Sequence, residues 1–162
     1  MKVLKRLSIV VYRNLPKRFT KYIVRLLSAK HTVGVVGVVW NEKGEVLLLH
    51  HTYDEPIRLP GGHMEYGEAP FATIRRELLE EANCSIEPLH ILGIESLTRA
   101  KFDIFIHCKR IKELPFAVNE EVVAREWYTT DKLKEIDELP SLHYQYILKS
   151  QDILKSQAIA ER

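Results

Sequence analysis

The 162-residue chain predicts a mixed α/β sandwich. Three observations predict it: a valine-rich run that doubles back as a hairpin, an amphipathic helix after a Pro-Gly-Gly loop, and alternating strand segments closed by a terminal helix. Hydrophobic residues at 46% and charged residues at 28% exclude a disordered or collagen-like chain. No apolar run approaches the roughly 18 residues of a membrane span. Cys84 and Cys108 form no C-x-x-C motif and have no histidine nearby at zinc spacing. They are expected to be small core residues in a reduced, cytoplasmic protein.

The first 31 residues stand apart. They hold nine basic side chains and no acid, leaving 15 basic against 22 acidic residues in the remainder, a net charge of −7. The expected division is a basic helical extension over residues 1–31 and a catalytic-size domain over 32–162. Val3, Leu4, Leu7, Val10 and Val11 repeat at helical spacing; after Pro16, Phe19, Tyr22, Ile23, Leu26 and Leu27 repeat again. Lys17, Lys21 and Arg25 lie four apart, off the apolar stripe. Such a basic amphipathic segment suits RNA or an anionic membrane surface, or packs on the domain or on a second subunit with its basic face solvated. A signal peptide is not expected, because the apolar run Ile9–Tyr12 is short and no small-residue cleavage site follows it.

The remaining elements follow in order. Thr32–Trp40 is a buried strand by its valine content, Asn41-Glu42-Lys43-Gly44 a turn, and Glu45–His51 the returning strand. No regular element is expected to continue through Leu59-Pro60-Gly61-Gly62. Residues 70–82 read as a helix, with Pro70 in its first turn and Phe71, Ile74, Leu78 and Ala82 on its apolar face. Residues 86–97 and 101–111 read as strands, the second alternating through Phe102, Ile104, Ile106 and Cys108. A strand over Val122–Tyr128, a short helix over Asp131–Ile136 and an amphipathic helix over residues 140–160 complete the chain.

The chemistry concentrates between Gly62 and Cys84. Glu77, Glu80 and Glu81 sit at i, i+3 and i+4 and share one helix face, where like charges repel. A helix tolerates that spacing if a divalent cation occupies the face, and carboxylate oxygens are the preferred donors for Mg²⁺. Arg76 is placed to bond Glu80 one turn later or to reach back to Glu68. Gly61 and Gly62 let backbone approach a metal or phosphate closely. These features suit metal-assisted displacement at phosphorus.

The run Gly62-x5-Glu68-x7-Arg76-Glu77-Leu78-x-Glu80-Glu81-x-Asn83-Cys84 resembles the signature of the Nudix (MutT-like) hydrolases, and Leu59-Pro60-Gly61 matches the usual approach to it. The one departure is Asn83 in place of glycine. It follows the helix end, where Asn is the next-best residue for a left-handed conformation. The resemblance extends over about residues 32–135.

The resemblance implies a Nudix α/β/α sandwich on a mixed β-sheet and hydrolysis of a nucleoside diphosphate linked to another moiety. It implies Mg²⁺, or Mn²⁺, held by Glu77, Glu80 and Glu81 with the Gly61 carbonyl, while Arg76, Gly62 and Glu68 maintain the arrangement. The general base in this family is a motif glutamate or an acid from a later loop; the later acids here are Glu120 and Glu121. Ala100 stands where the family's ADP-ribose enzymes carry proline, and Phe102 where dinucleoside polyphosphate enzymes carry tyrosine, so neither subclass is supported. His63, Tyr53 and Phe102 are the substrate-contact candidates, with Trp40 and Tyr66 as further aromatic surfaces. Two alternatives accompany the hydrolase reading: removal of pyrophosphate from RNA 5′ ends, with the basic arm on the RNA backbone, and a non-catalytic ligand-sensing domain. A homodimer is the expected assembly. A cytoplasmic location is expected, with peripheral attachment at the inner membrane surface as the role the arm allows.

Overall fold

The computed structural model describes residues 31–52, 57–118 and 120–160. The helical extension expected over residues 1–31 lies outside them but for His31, as does Tyr53. The described residues form a seven-stranded mixed sheet: β1 Thr32–Trp40, β2 Val46–His51, β3 Ile57–Arg58, β4 Gly61–His63, β5 Cys84–Thr98, β6 Lys101–Glu113 and β7 Val122–Tyr128. Helix α1 spans Pro70–Ala82 and helix α2 spans Ser141–Ala160, preceded by a 3-10 turn at Lys132–Glu135. No described helix is long and apolar enough to cross a membrane.

The order β3-β2-β1-β6-β5 runs across the sheet, with β4 also paired to β1 and β7 to β2. Among the described strands, only β1 and β6 pair in parallel. Because successive side chains point to opposite faces, β1 divides its residues between two cores. Val35 and Val39 join Ile74, Leu78 and Ala82 of α1 in one. Val36, Val38 and Trp40 join Tyr146 and Ile147 of α2 in the other. The two helices therefore cover opposite faces of the sheet. Gly37 admits α1: a side chain there would press on Ile74 and Leu78.

One sequence expectation is corrected. Leu59 and Pro60 are irregular, but Gly61-Gly62-His63 forms β4, antiparallel to β1 with Val36 opposite Gly61 and Gly34 opposite His63. Pro60 has no N–H for a ladder, yet its carbonyl accepts the Gly37 N–H at 2.9 Å. At Gly61 an added Cβ would overlap the Val35 carbonyl, so the close approach of β4 to β1 requires glycine.

Helix α1 starts at Pro70 with Ala69 as an N-cap that makes no side-chain hydrogen bond. It ends at Asn83, left-handed at φ 45°, whose N–H donates to the carbonyls of Leu78 and Leu79. The Asn83 side chain donates to the Pro115 carbonyl at 3.0 Å. Arg125 from β7 donates to the Ala82 carbonyl and, at 3.3 Å, to that of Leu114. A cation at this end both satisfies an orphan carbonyl and suits the helix dipole. Cys84 and Cys108 are buried, as expected of core residues; burial pushes the Cys84 thiol up to about 11 and the Cys108 thiol higher still.

A polar chain crosses the α2 side of the core. Trp40 Nε1 donates to Ser150 Oγ at 2.8 Å. Ser150 Oγ also lies 2.5 Å from His107 Nδ1, so one hydroxyl joins the indole to the imidazole. His90 stacks on the His107 ring at 4.8 Å. Burial first, and His90 second, hold His107 at about 4, below the usual 6.5. The unfolded chain therefore takes a proton near pH 6.5 that the folded chain refuses. The associated stability is complete above pH 6.5 and is lost as pH falls toward 4. In urea titrations, His107→Gln should lose less stability than the unsubstituted protein between pH 7 and pH 5, by about 2 kcal/mol.

Candidate functional site

The site forms where β4, the second half of α1 and the start of β1 meet. Arg76 organises it. Its Nε and Nη2 bond the two Glu68 oxygens at 3.1 Å each, a bidentate pair. Nη2 also donates to the His63 carbonyl of β4 at 3.1 Å. Nη1 bonds Glu80 Oε2 at 3.1 Å and lies 3.0 Å from Glu77 Oε1. Both sequence-derived partners of Arg76 are engaged at once. Glu68 further accepts the Glu65 N–H at 3.1 Å and the Thr73 hydroxyl at 2.8 Å. The Arg76 guanidinium beside it, with the Glu65 N–H, pulls the Glu68 carboxyl down to about 2.

The motif acids are not equivalent. Glu77 and Glu81 line a cleft of about 650 Å³ with Gly61, Gly62, His63 and Arg76. Glu81 Oε2 accepts the Gly61 N–H at 3.3 Å. An added Cβ on Gly62 would fall on the Glu77 carboxylate. Burial raises Glu77 above its ordinary value against the opposing pull of Arg76. Burial also raises Glu81, to about 7, with Glu77 and Glu121 adding repulsion. Glu80, 59% exposed, turns to Arg76 and does not border the cleft.

Among the described residues, no three His, Cys, Asp or Glu side chains converge as a completed metal shell. The donor set nevertheless suits a divalent cation. Glu68, Glu77 and Glu80 share the single guanidinium of Arg76, Glu81 lies one helical turn from Glu77, and the half-buried Glu77 and Glu81 have raised proton affinity. Oxygen donors and surplus negative charge are what Mg²⁺ requires.

The structure separates the later acids. Glu121 lines the cleft, whereas Glu120 does not. The backbone of both is tied to the end of β2, where Thr52 N donates to the Glu121 carbonyl and Thr52 Oγ1 to that of Glu120, each at 3.1 Å. His63 borders the cleft; Phe102 does not, although its neighbours Lys101 and Asp103 do. Trp40 is a core residue, 2% exposed. Tyr66 is 92% exposed and lies outside the cleft lining. Sequence reasoning missed Arg58, Lys101, Asp103 and His143, all of which line the cleft. Asp103 left a trace: it is the acid within the otherwise apolar run Phe102-Asp103-Ile104-Phe105-Ile106.

Comparisons with known proteins give the family and the fold. The profile of the NUDIX domain matches residues 30–149. A MutT-like protein from Streptomyces ambofaciens is 30% identical over 106 residues, covering 65% of this chain and 68% of that protein. The Nucleoside diphosphate-linked moiety X motif 6 protein of Xenopus laevis is 31% identical over 116 residues, 65% of this chain and 53% of that protein, so the chain spans about half of its length. The solved structure of a NUDIX hydrolase from Nitrosomonas europaea shares the fold, with a TM-score of 0.64 at 24% identity over 74% of this chain and 88% of that one. The matched span runs from before β1 into α2 and includes the whole carboxylate constellation, so the chain belongs to the NUDIX hydrolase family.

Proposed function

We propose that the domain over residues 32–162 is a Mg²⁺-dependent pyrophosphohydrolase that cleaves a nucleoside diphosphate linked to another moiety, and that residues 1–31 form an extension apart from it. The observation that carries this reading is the pair of cleft carboxylates: Glu77 seated against Gly62 and held by Arg76, and Glu81 bonded to the Gly61 N–H. Glu77, Glu81 and the Gly61 carbonyl would hold the cation, with Glu80 joining them by rotating off Arg76. When bound, the cation neutralises diphosphate charge, polarises the P–O bonds and acidifies water.

The chain's own residues do the positioning. Arg76 bridges β4 and α1, so the backbone of Gly61-Gly62 and the acids of the helix move together. Glu121, the later acid that reaches the cleft, accepts the proton of the attacking water. Attack in line at one phosphorus then yields two phosphate products.

Product release should be measured from a panel of nucleoside triphosphates, nucleotide sugars, ADP-ribose, dinucleoside polyphosphates, CDP-alcohols and 5′-triphosphate RNA. Turnover of one class is expected with Mg²⁺ and none after chelation. Glu81→Gln should lower kcat by about 10²–10⁴-fold. A folded protein inactive on the whole panel would defeat the reading. Glu121→Gln should lower kcat with little change in KM, while Glu120→Gln leaves both unchanged; equal effects would remove Glu121 as the base. Gly62→Ala should keep its melting temperature, because the overlapping Glu77 carboxylate ends a flexible side chain. Its activity should nonetheless fall about a hundredfold as that carboxylate is displaced.

A further inference from the structure

The cleft has a second end that the phosphate chemistry does not use. In the sheet register Gly34 of β1 lies opposite His63 of β4 on one side and Asp103 of β6 on the other. Two strand spacings place Asp103 roughly 10 Å across the sheet from the glycine strand. Asp103 lines the cleft yet is only 7% exposed, and its Oδ1 has no hydrogen-bond partner among the described residues. A buried carboxylate oxygen without a donor is costly. Nothing in the packing of a β-strand calls for one in the run Phe102–Ile106. Space is kept for it: an added Cβ on Gly34 would overlap the Asp103 carboxylate.

The surroundings describe the missing donor. Leu97 and Leu142 give this end apolar walls, and Lys101 and His143 border it. His143 Nδ1 accepts the Leu59 N–H at 3.2 Å, so its hydrogen is on Nε2. Burial first, then Arg58 and Lys101, hold that ring neutral at about 4. This end of the cleft thus pairs a carboxylate that has an unpartnered oxygen with an imidazole donor between apolar walls. That is a setting for a flat polar ring rather than for a phosphate.

We propose that Asp103 determines the specificity of this cleft by accepting hydrogen bonds from the N–H edge of the substrate's nucleobase, with guanine the best match. An ionised carboxylate only accepts. Guanine offers two adjacent donors, a ring N–H and an amino group. Adenine and cytosine set a ring acceptor beside their amino group, and uracil flanks its N–H with two carbonyls. Asp103 is a binding residue, and its role rests on the hydrolase reading for the identity of the ligand as a nucleotide.

The test is calorimetric binding of GDP, IDP, ADP, CDP and UDP with Mg²⁺, alongside inorganic pyrophosphate as a probe of the phosphate end. IDP differs from GDP only in lacking the amino group. The unsubstituted protein should bind GDP about tenfold more tightly than IDP or UDP, the worth of one charge-assisted hydrogen bond. Asp103→Asn, nearly isosteric, and Gly34→Ala, which displaces the carboxylate, should bring that ratio to within about twofold while pyrophosphate affinity is unchanged. Equal binding of GDP, IDP and UDP by the unsubstituted protein overturns the inference without any variant. So does a ratio that survives Asp103→Asn, or failure of every nucleoside diphosphate to bind. Discrimination without hydrolysis of any substrate would support Asp103 and defeat the catalytic reading; hydrolysis without discrimination would do the reverse.

Discussion

Arg76 brings one positive charge to three carboxylates and a backbone carbonyl, and most of the site's geometry depends on that imbalance. Its bidentate contact with Glu68 and its bond to the His63 carbonyl join the loop after β4 to the first turns of α1. Without a cation among them, Glu77 and Glu80, one helical turn apart, and Glu68 of the preceding loop would repel one another. With Arg76 there, Glu68 is held fully ionised, but Glu77 and Glu81 stay under-compensated and their proton affinities rise. The same residue thus stabilises the frame and leaves negative charge facing the cleft.

That frame exists because glycine lies where two layers touch. β4 packs against β1 at Gly61, and α1 presses its Glu77 carboxylate against Gly62. Gly37 lets the apolar side of the same helix settle onto the sheet. At the far end of α1, Asn83 and Arg125 close the exposed carbonyls, fixing the helix along its axis. The carboxylates are therefore carried on a helix located at both ends and along one face, which is the rigidity a positioned cation site needs.

The opposite face has a different character. Trp40, Ser150 and His107 satisfy one another inside the α2 core, so burial of polar atoms there is matched by hydrogen bonds. Asp103, on the same side of the sheet as Phe105, departs from that pattern at the cleft end of β6. The contrast within one strand between a satisfied His107 and an unsatisfied Asp103 distinguishes a structural polar group from one reserved for a ligand.

Local pattern determined a great deal about this protein. Alternation in β1 and β6, the spacing of Ile74, Leu78 and Ala82, and the Gly62–Cys84 constellation each depend on neighbours a few residues apart, and strand, helix and motif were legible from them. The strand β4 was not, because Pro60 and two glycines carry no strand propensity and pair only through the close approach of β1. Nor did spacing separate Glu80 from Glu77 and Glu81, or Glu120 from Glu121. Helical periodicity and sequence adjacency treat these acids alike, whereas Arg76 and the cleft wall do not. Asp103, Lys101 and His143 come from two elements far apart in the chain and meet the glycine strand only through the β4-β1-β6 register and the seating of α2. The chemistry of the site is a short-range property of the chain; the shape of what enters it follows from long-range strand pairing, which no local pattern encodes.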